Sequence, residues 1–123
     1  MKPLILVFLG GGIGSALRYL IGRALNNTIP NFYLGTFLVN LIGCLLIGFI
    51  MGLASKNNLL TQNQTLLFTA GFCGGFTTFS SFALEQYSLL KNGDLFNFTL
   101  YTTSSIVLGL LAVILGFWLS RTV

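Results

Sequence analysis

Residues 71–82, Gly71-Phe72-Cys73-Gly74-Gly75-Phe76-Thr77-Thr78-Phe79-Ser80-Ser81-Phe82, combine three glycines, four aromatics and four hydroxyls. They lie inside an apolar run from about Thr65 to Leu90. Adjacent glycines followed by β-branched threonines make a poor helix interior, so this run is expected to form a helix that breaks near its middle. A break at membrane depth frees backbone carbonyls, which is tolerated only where protein, a cavity or an ion satisfies them. Such carbonyls are the ligands a hard monovalent cation prefers. Phe76, Phe79 and Phe82 recur every three residues and are expected to share one stripe after the break. Their ring edges carry partial positive charge and can face an anion without a full charge nearby. Plain packing accounts for the same spacing.

Working outward, three further apolar stretches run from about Leu4 to Leu25, Tyr33 to Ala54 and Phe96 to Leu119. Each is close to the ~20 residues a helix needs to cross ~30 Å of hydrocarbon. The breaks between them, residues 26–31, 55–58 and 91–94, are short and polar. The 123-residue chain is 54% hydrophobic and 7% charged, with a mean hydropathy of +0.89. A water-facing surface normally needs about 25% charged residues, so the chain is read as a single membrane domain over 1–123, all-α, with four spans and a bacterial inner-membrane location. The first span is not expected to be cleaved, because no A-x-A-like site follows it and Arg18 interrupts it.

The residue inventory excludes other classes. The net charge of +4 comes from singly scattered basic residues, which cannot track a phosphate backbone. There is no His, no carboxylate pair and no phosphate-cradling loop, so no enzyme chemistry is expected. Cys44 and Cys73 have no metal-site spacing and read as small buried hydrophobes.

Basic residues favour the cytoplasmic side of a membrane. Lys2, Lys56 and Arg121 fall on one side of a four-span protein, and Arg18, Arg23 and Lys91 on the other. This even count suggests a chain that inserts both ways and pairs antiparallel. Gly10 and Gly14, Gly48 and Gly52, Gly71 and Gly75, and Ala112 and Gly116 are spaced by four, which lets helices approach closely in lipid.

Polar side chains inside a span are costly and are therefore the functional candidates. Thr36 and Asn40 share a face of the second span, and Gly43 leaves room beside them. Asn40 offers two amide donors; an interhelical hydrogen bond is an equally good use for it. Tyr101, Ser105 and Gly109 form a similar face on the fourth span. Arg18 either draws anions into a vestibule or reaches up to lipid headgroups. Glu85 lies towards the end of the third span. Donors outnumber ionisable groups, as suits the lining of a path for a small anion.

Three motifs resemble the Fluc family of fluoride channels, also called CrcB. Residues 10–19 resemble its glycine-rich first-helix signature ending in Arg-Tyr. Residues 35–43 resemble its G-T-x-x-V-N-x-x-G segment. Residues 71–82 resemble its G-F-C-G-G-x-T-T-F-S-[ST]-F signature. The resemblance covers essentially the whole chain. It implies an antiparallel, dual-topology homodimer in the lipid bilayer that exports fluoride passively. It further implies that Asn40 donates to fluoride and that Phe79 and Phe82 supply ring edges. Thr36, Ser80, Tyr101 and Ser105 match polar lining positions, and Arg18 and Glu85 match vestibule or pore-end positions. The carbonyls of Gly74 and Thr77 match those that hold a structural sodium ion at the dimer centre. Gly109 departs from members that carry a second serine there.

Two other readings stay open at the level of sequence. A dual-topology multidrug transporter would have similar size and span count, but it needs an intramembrane acid that the first span lacks. A non-transporting membrane scaffold would explain the glycines but not the hydroxyl-aromatic run of residues 76–82.

Overall fold

The structure, a computed structural model, describes residues 1–56 and 59–123. Asn57 and Asn58, part of the expected second loop, lie outside the described residues. Among the described residues, four helical stretches are long and apolar enough to cross a membrane. Helix α1 spans Lys2–Leu25, and Pro3 sits at its start, where the missing amide hydrogen costs nothing. Helix α2 spans Leu34–Ala54. The turn between them is tightened by Asn31 at φ 58°, a left-handed conformation that Asn tolerates better than most residues.

The third stretch, Gln62–Lys91, is the irregular one. It opens at Gln62, three residues before the expected start. Thr61 Oγ1 accepts from the Gln64 amide, and the Gln64 side chain accepts from the Thr61 amide, a reciprocal cap that satisfies two orphan donors. The chain passes through a wide π-helical turn at Leu67–Cys73 and a last helical turn at Gly74–Phe76. Together these segments form α3 (62–76). Thr77 is extended, with φ −87° and ψ 160°, and the chain becomes helical again as α4, Ser80–Lys91. The break is therefore real, but it falls on Thr77-Thr78-Phe79, after the glycine pair, which is itself helical.

That placement corrects the expected stripe. Phe76 lies before the break and is 4% exposed, stacked on Phe72 at 5.4 Å between ring centroids. Phe79 is 79% exposed. An extended residue between them turns the two rings to different surroundings. Only Phe79 and Phe82 remain neighbours, 6.1 Å apart.

Gly93, at φ 73°, ends the turn after α4. Asp94 then caps α5, Leu95–Arg121, by accepting from the Asn97 amide at 3.2 Å. The helices pack as two close pairs. Along α1 and α3, a Cβ at Gly14 would overlap the Phe72 carbonyl, and one at Gly75 would overlap the Gly11 carbonyl. Along α2 and α5, Gly48 meets the Val113 carbonyl and Gly116 the Leu45 carbonyl in the same way. Small residues let backbones touch, and in lipid that packing replaces the hydrophobic drive. Few side chains are fully buried: Val39, Tyr101 and Ser120 are the largest below 2% exposure. Large apolar side chains such as Phe8 and Phe96 point outward, as expected when the surrounding solvent is hydrocarbon.

Candidate functional site

The site is built around the break at Thr77-Thr78-Phe79. Opening a helix leaves main-chain groups without partners, and each one buried in apolar surroundings costs free energy. Two neighbouring helices satisfy most of them here. From α2, Asn40 grips one residue from both sides: the Thr78 amide donates to Asn40 Oδ1 at 2.8 Å, and Asn40 Nδ2 donates to the Thr78 carbonyl at 3.1 Å. From α1, Arg18 Nε donates to the Gly75 carbonyl at 3.0 Å, and Ser15 Oγ reaches the same oxygen at 3.4 Å. The break also caps itself. Thr77 Oγ1 donates to the Cys73 carbonyl at 2.8 Å, and the Ser81 amide donates to Thr78 Oγ1 at 3.2 Å.

Three carbonyls are left over, those of Gly74, Phe76 and Thr77, and the Phe76 residue is itself only 4% exposed. In an uninterrupted helix the Thr78 amide would serve Gly74 O and the Ser81 amide would serve Thr77 O. Both amides are diverted, to Asn40 and to Thr78 Oγ1. Among the described residues, no donor reaches Gly74 O or Thr77 O. Gly74 is exposed and Thr77 half-buried, with the Thr77 methyl group seated over Gly43, where any Cβ would collide with it. Open carbonyl oxygens of this kind fit a hard monovalent cation. No group of three or more His, Cys, Asp or Glu side chains occurs among the described residues to hold a different metal.

A cavity opens on each side of the break. The first, about 430 Å³, is lined by Asn40, Thr77, Thr78, Phe79, Phe82 and Ser105, with Gly74 and two cysteines. No Asp, Glu, Lys or Arg lines it. Its donors are not all spent. Ser105 Oγ is buried without a partner, and Asn40, with two amide hydrogens, donates only one in the clamp. The Phe79 and Phe82 rings meet at 44°, and Phe82 meets Tyr101 edge to face at 5.0 Å.

The second cavity, about 340 Å³, is lined by Arg18, Arg23, Asn26, Thr36, Ser81 and Glu85. Thr78 lines it as well, so the clamped residue forms the wall between the two. Glu85 sits at its inner side with both oxygens occupied. Thr36 Oγ1 donates to Glu85 Oε2 at 2.7 Å, and the Tyr101 hydroxyl donates to Oε1 at 2.8 Å.

The candidates drawn from the sequence therefore divide. Asn40, Phe79, Phe82 and Ser105 come together on the uncharged side, with Gly74 and Thr77 at its edge. Thr36, Tyr101 and Glu85 form one hydrogen-bonded group. Tyr101 is fully buried and lines neither cavity; its ring packs among Phe32, Phe37 and Phe82. Arg18 does line the second cavity, yet its Nε is committed to a backbone carbonyl, a use not foreseen for it. Ser80 is exposed on the first turn of α4 and lines neither cavity, so the fold does not bring it to the others.

Three residues were not anticipated. Thr78 acts through its backbone, which has no side-chain signature. Ser15 lies one turn before Arg18 on the same face. Asn26, in the first loop, accepts from the Thr36 amide at 3.0 Å and donates to Thr36 Oγ1 at 3.3 Å, ordering the start of α2. Asn26 ends α1 eight residues before α2 begins, so no local capping pattern marked it.

Known proteins resemble this chain along nearly its whole length. The family model described as CrcB-like protein, Camphor Resistance (CrcB), matches residues 5–117. The protein named Fluoride-specific ion channel FluC of Phocaeicola vulgatus is 48% identical, over 98% of this chain and 100% of its own length. A protein of the same name from Azobacteroides pseudotrichonymphae is 45% identical, over 98% of each chain. One from Bacteroides fragilis is 49% identical, again over 98% of each.

Proposed function

The chain belongs to the CrcB family, and from that premise we propose that it is a fluoride-selective channel that lets fluoride leave the cell down its gradient. It is a multi-pass membrane protein and an ion channel rather than an enzyme. The observation that carries the proposal is the uncharged cavity beside the break, lined by unspent donors and ring edges.

Fluoride is small and holds its water tightly, so a pore must replace that shell with convergent donors. The free amide hydrogen of Asn40, the hydroxyl of Ser105 and the edges of Phe79 and Phe82 supply weak positive charge around one space. None carries a full charge, so the ion is bound loosely enough to move on. A larger halide would need a wider ring of the same donors, and the clamp that holds Asn40 against Thr78 opposes such widening. Glu85 has its charge shared between two hydroxyls, which softens its repulsion of an approaching anion. Arg18 and Arg23 give the second cavity the positive character of an entrance.

The working unit is an antiparallel homodimer of dual topology. The even division of basic residues supports it, as does the exposure of Phe79 and Gly74, a ring and a carbonyl-bearing glycine beside the cavity with nothing over them in one copy. A sodium ion at the centre of that dimer, held by the carbonyls of Gly74 and Thr77 and their counterparts in the second copy, would supply the positive charge that these oxygens need. Asn40, Arg18 and Ser15 keep the Thr78 and Gly75 carbonyls from competing for it.

Purified protein in potassium fluoride vesicles, opened to potassium flow with an ionophore, tests the proposal with a fluoride electrode. Rapid fluoride release with retention of chloride in matched vesicles is the expected result; release of both ions, or of neither, would overturn it.

A further inference from the structure

Resting on the fluoride reading above, we infer that the thiol of Cys44 is a further donor of the anion path. Thr36, Asn40 and Cys44 follow one another at intervals of four on α2, and residues so spaced share a face. The first two already line the second and first cavities. Cys44 is a free, half-buried thiol and lines the same uncharged cavity as Asn40, Phe82 and Ser105. Of the other residues on that cavity's wall, Ile47 and Ile106 offer no donor, and the Thr69 hydroxyl is spent on the Thr65 carbonyl at 2.8 Å.

The opposing helix explains why a thiol matters there. On α5 the face Tyr101, Ser105, Gly109 loses its hydroxyl at the third step. A Cβ placed on Gly109 would meet one atom within 4 Å, Cys44 Sγ at 3.5 Å. The thiol thus stands in the space that a side chain at position 109 would otherwise share. An S–H group is a weak donor, so it extends the gradual weakening from amide to hydroxyl to thiol, which suits an ion that must leave. Cys73, the second thiol on the cavity, is 2% exposed and packs between helices.

Fluoride efflux from vesicles tests this with four variants. Cys44→Ala removes the donor and is expected to slow efflux about three- to tenfold, the effect of one modest hydrogen bond; Cys44→Ser restores most of the rate. In the Cys44→Ala background, Gly109→Ser supplies a hydroxyl from the other helix and recovers flux, whereas Gly109→Ala refills the volume without a donor and does not. Recovery by both changes at 109, or a wild-type rate for Cys44→Ala, would overturn the inference and leave the channel reading standing. Absence of fluoride efflux from the unaltered protein would sink the channel reading, and this inference with it. Methyl methanethiosulfonate gives a check that needs no folding of Cys44→Ala. The Cys44 thiolate attacks its sulfenyl sulfur, forming an S–SCH₃ bond and expelling methanesulfinate. Efflux of the unaltered protein is expected to fall on treatment and to return with dithiothreitol, while Cys44→Ser protein does not respond. Equal insensitivity of both proteins would overturn the inference.

Discussion

Asn40 holds both ends of one peptide unit, accepting from the Thr78 amide and donating to its carbonyl, and still has a hydrogen to offer. The two roles open to it in the sequence, interhelical bond and ion ligand, are compatible because an amide carries two donors and an acceptor. Asn40→Asp keeps the acceptor but removes both donors and adds a negative charge beside the cavity. A like charge about 4 Å from a passing anion costs about 4 kcal/mol at an effective dielectric of 20, so fluoride efflux is expected to fall about a thousandfold. An anion flux within tenfold of the unaltered protein would take Asn40 off the path. Phe79→Ile and Phe82→Ile keep apolar bulk but lose the ring edge, and each is expected to reduce efflux at least a hundredfold while dimers still form on cross-linking. Normal flux in either would reduce the rings to packing. Spacing alone put Phe79 and Phe82 together, but it also enrolled Phe76, because a period of three cannot reveal where an extended residue resets the direction of side chains. Ser80 begins a new helix and lines neither cavity of the single copy.

The broken third element is held by close backbone contact as much as by hydrogen bonds. Gly75 lies against the Gly11 carbonyl, and Gly43 beneath the Thr77 methyl group. Gly75→Ala forces α1 and α3 apart, an overpacking that costs about 1–3 kcal/mol; a lower midpoint in thermal unfolding followed by circular dichroism in detergent is expected. An unchanged midpoint would show that the helices have slack. Hydropathy and polar breaks placed the ends of all four membrane stretches to within about three residues, because length and composition are what lipid constrains. The early start at Gln62 was signalled by Thr61-x-x-Gln64, a capping pattern in the polar stretch ahead of the third apolar run. The π-helical turn at Leu67–Cys73 was not available, since it follows from how α3 fits along α1. The pairing of the Gly10–Gly14 and Gly71–Gly75 spacings with each other likewise needed the tertiary arrangement.

At the scale of the whole molecule, one copy leaves open oxygens at Gly74 and Thr77 and an exposed ring at Phe79. The proposed second copy, with a sodium ion between the two, would cover all three together. Replacing sodium by N-methylglucamine is then expected to shift the protein from dimer toward monomer in detergent, measured by glutaraldehyde cross-linking. The same change is expected to be larger for Gly43→Ala, whose added methyl group displaces Thr77. Dimers indifferent to sodium would remove the ion from the account. The even division of basic residues hinted at two-way insertion, but no sequence pattern could show which carbonyls the amides of the break would be turned away from.

The central claim is that an uncharged, narrow set of donors selects fluoride. The most direct measurement is the reversal potential of the reconstituted protein in a planar bilayer, with a fluoride gradient one way and an opposed chloride gradient the other. Reversal is expected at the fluoride equilibrium potential; reversal midway between the two, or at the chloride value, would show that the donors do not select fluoride.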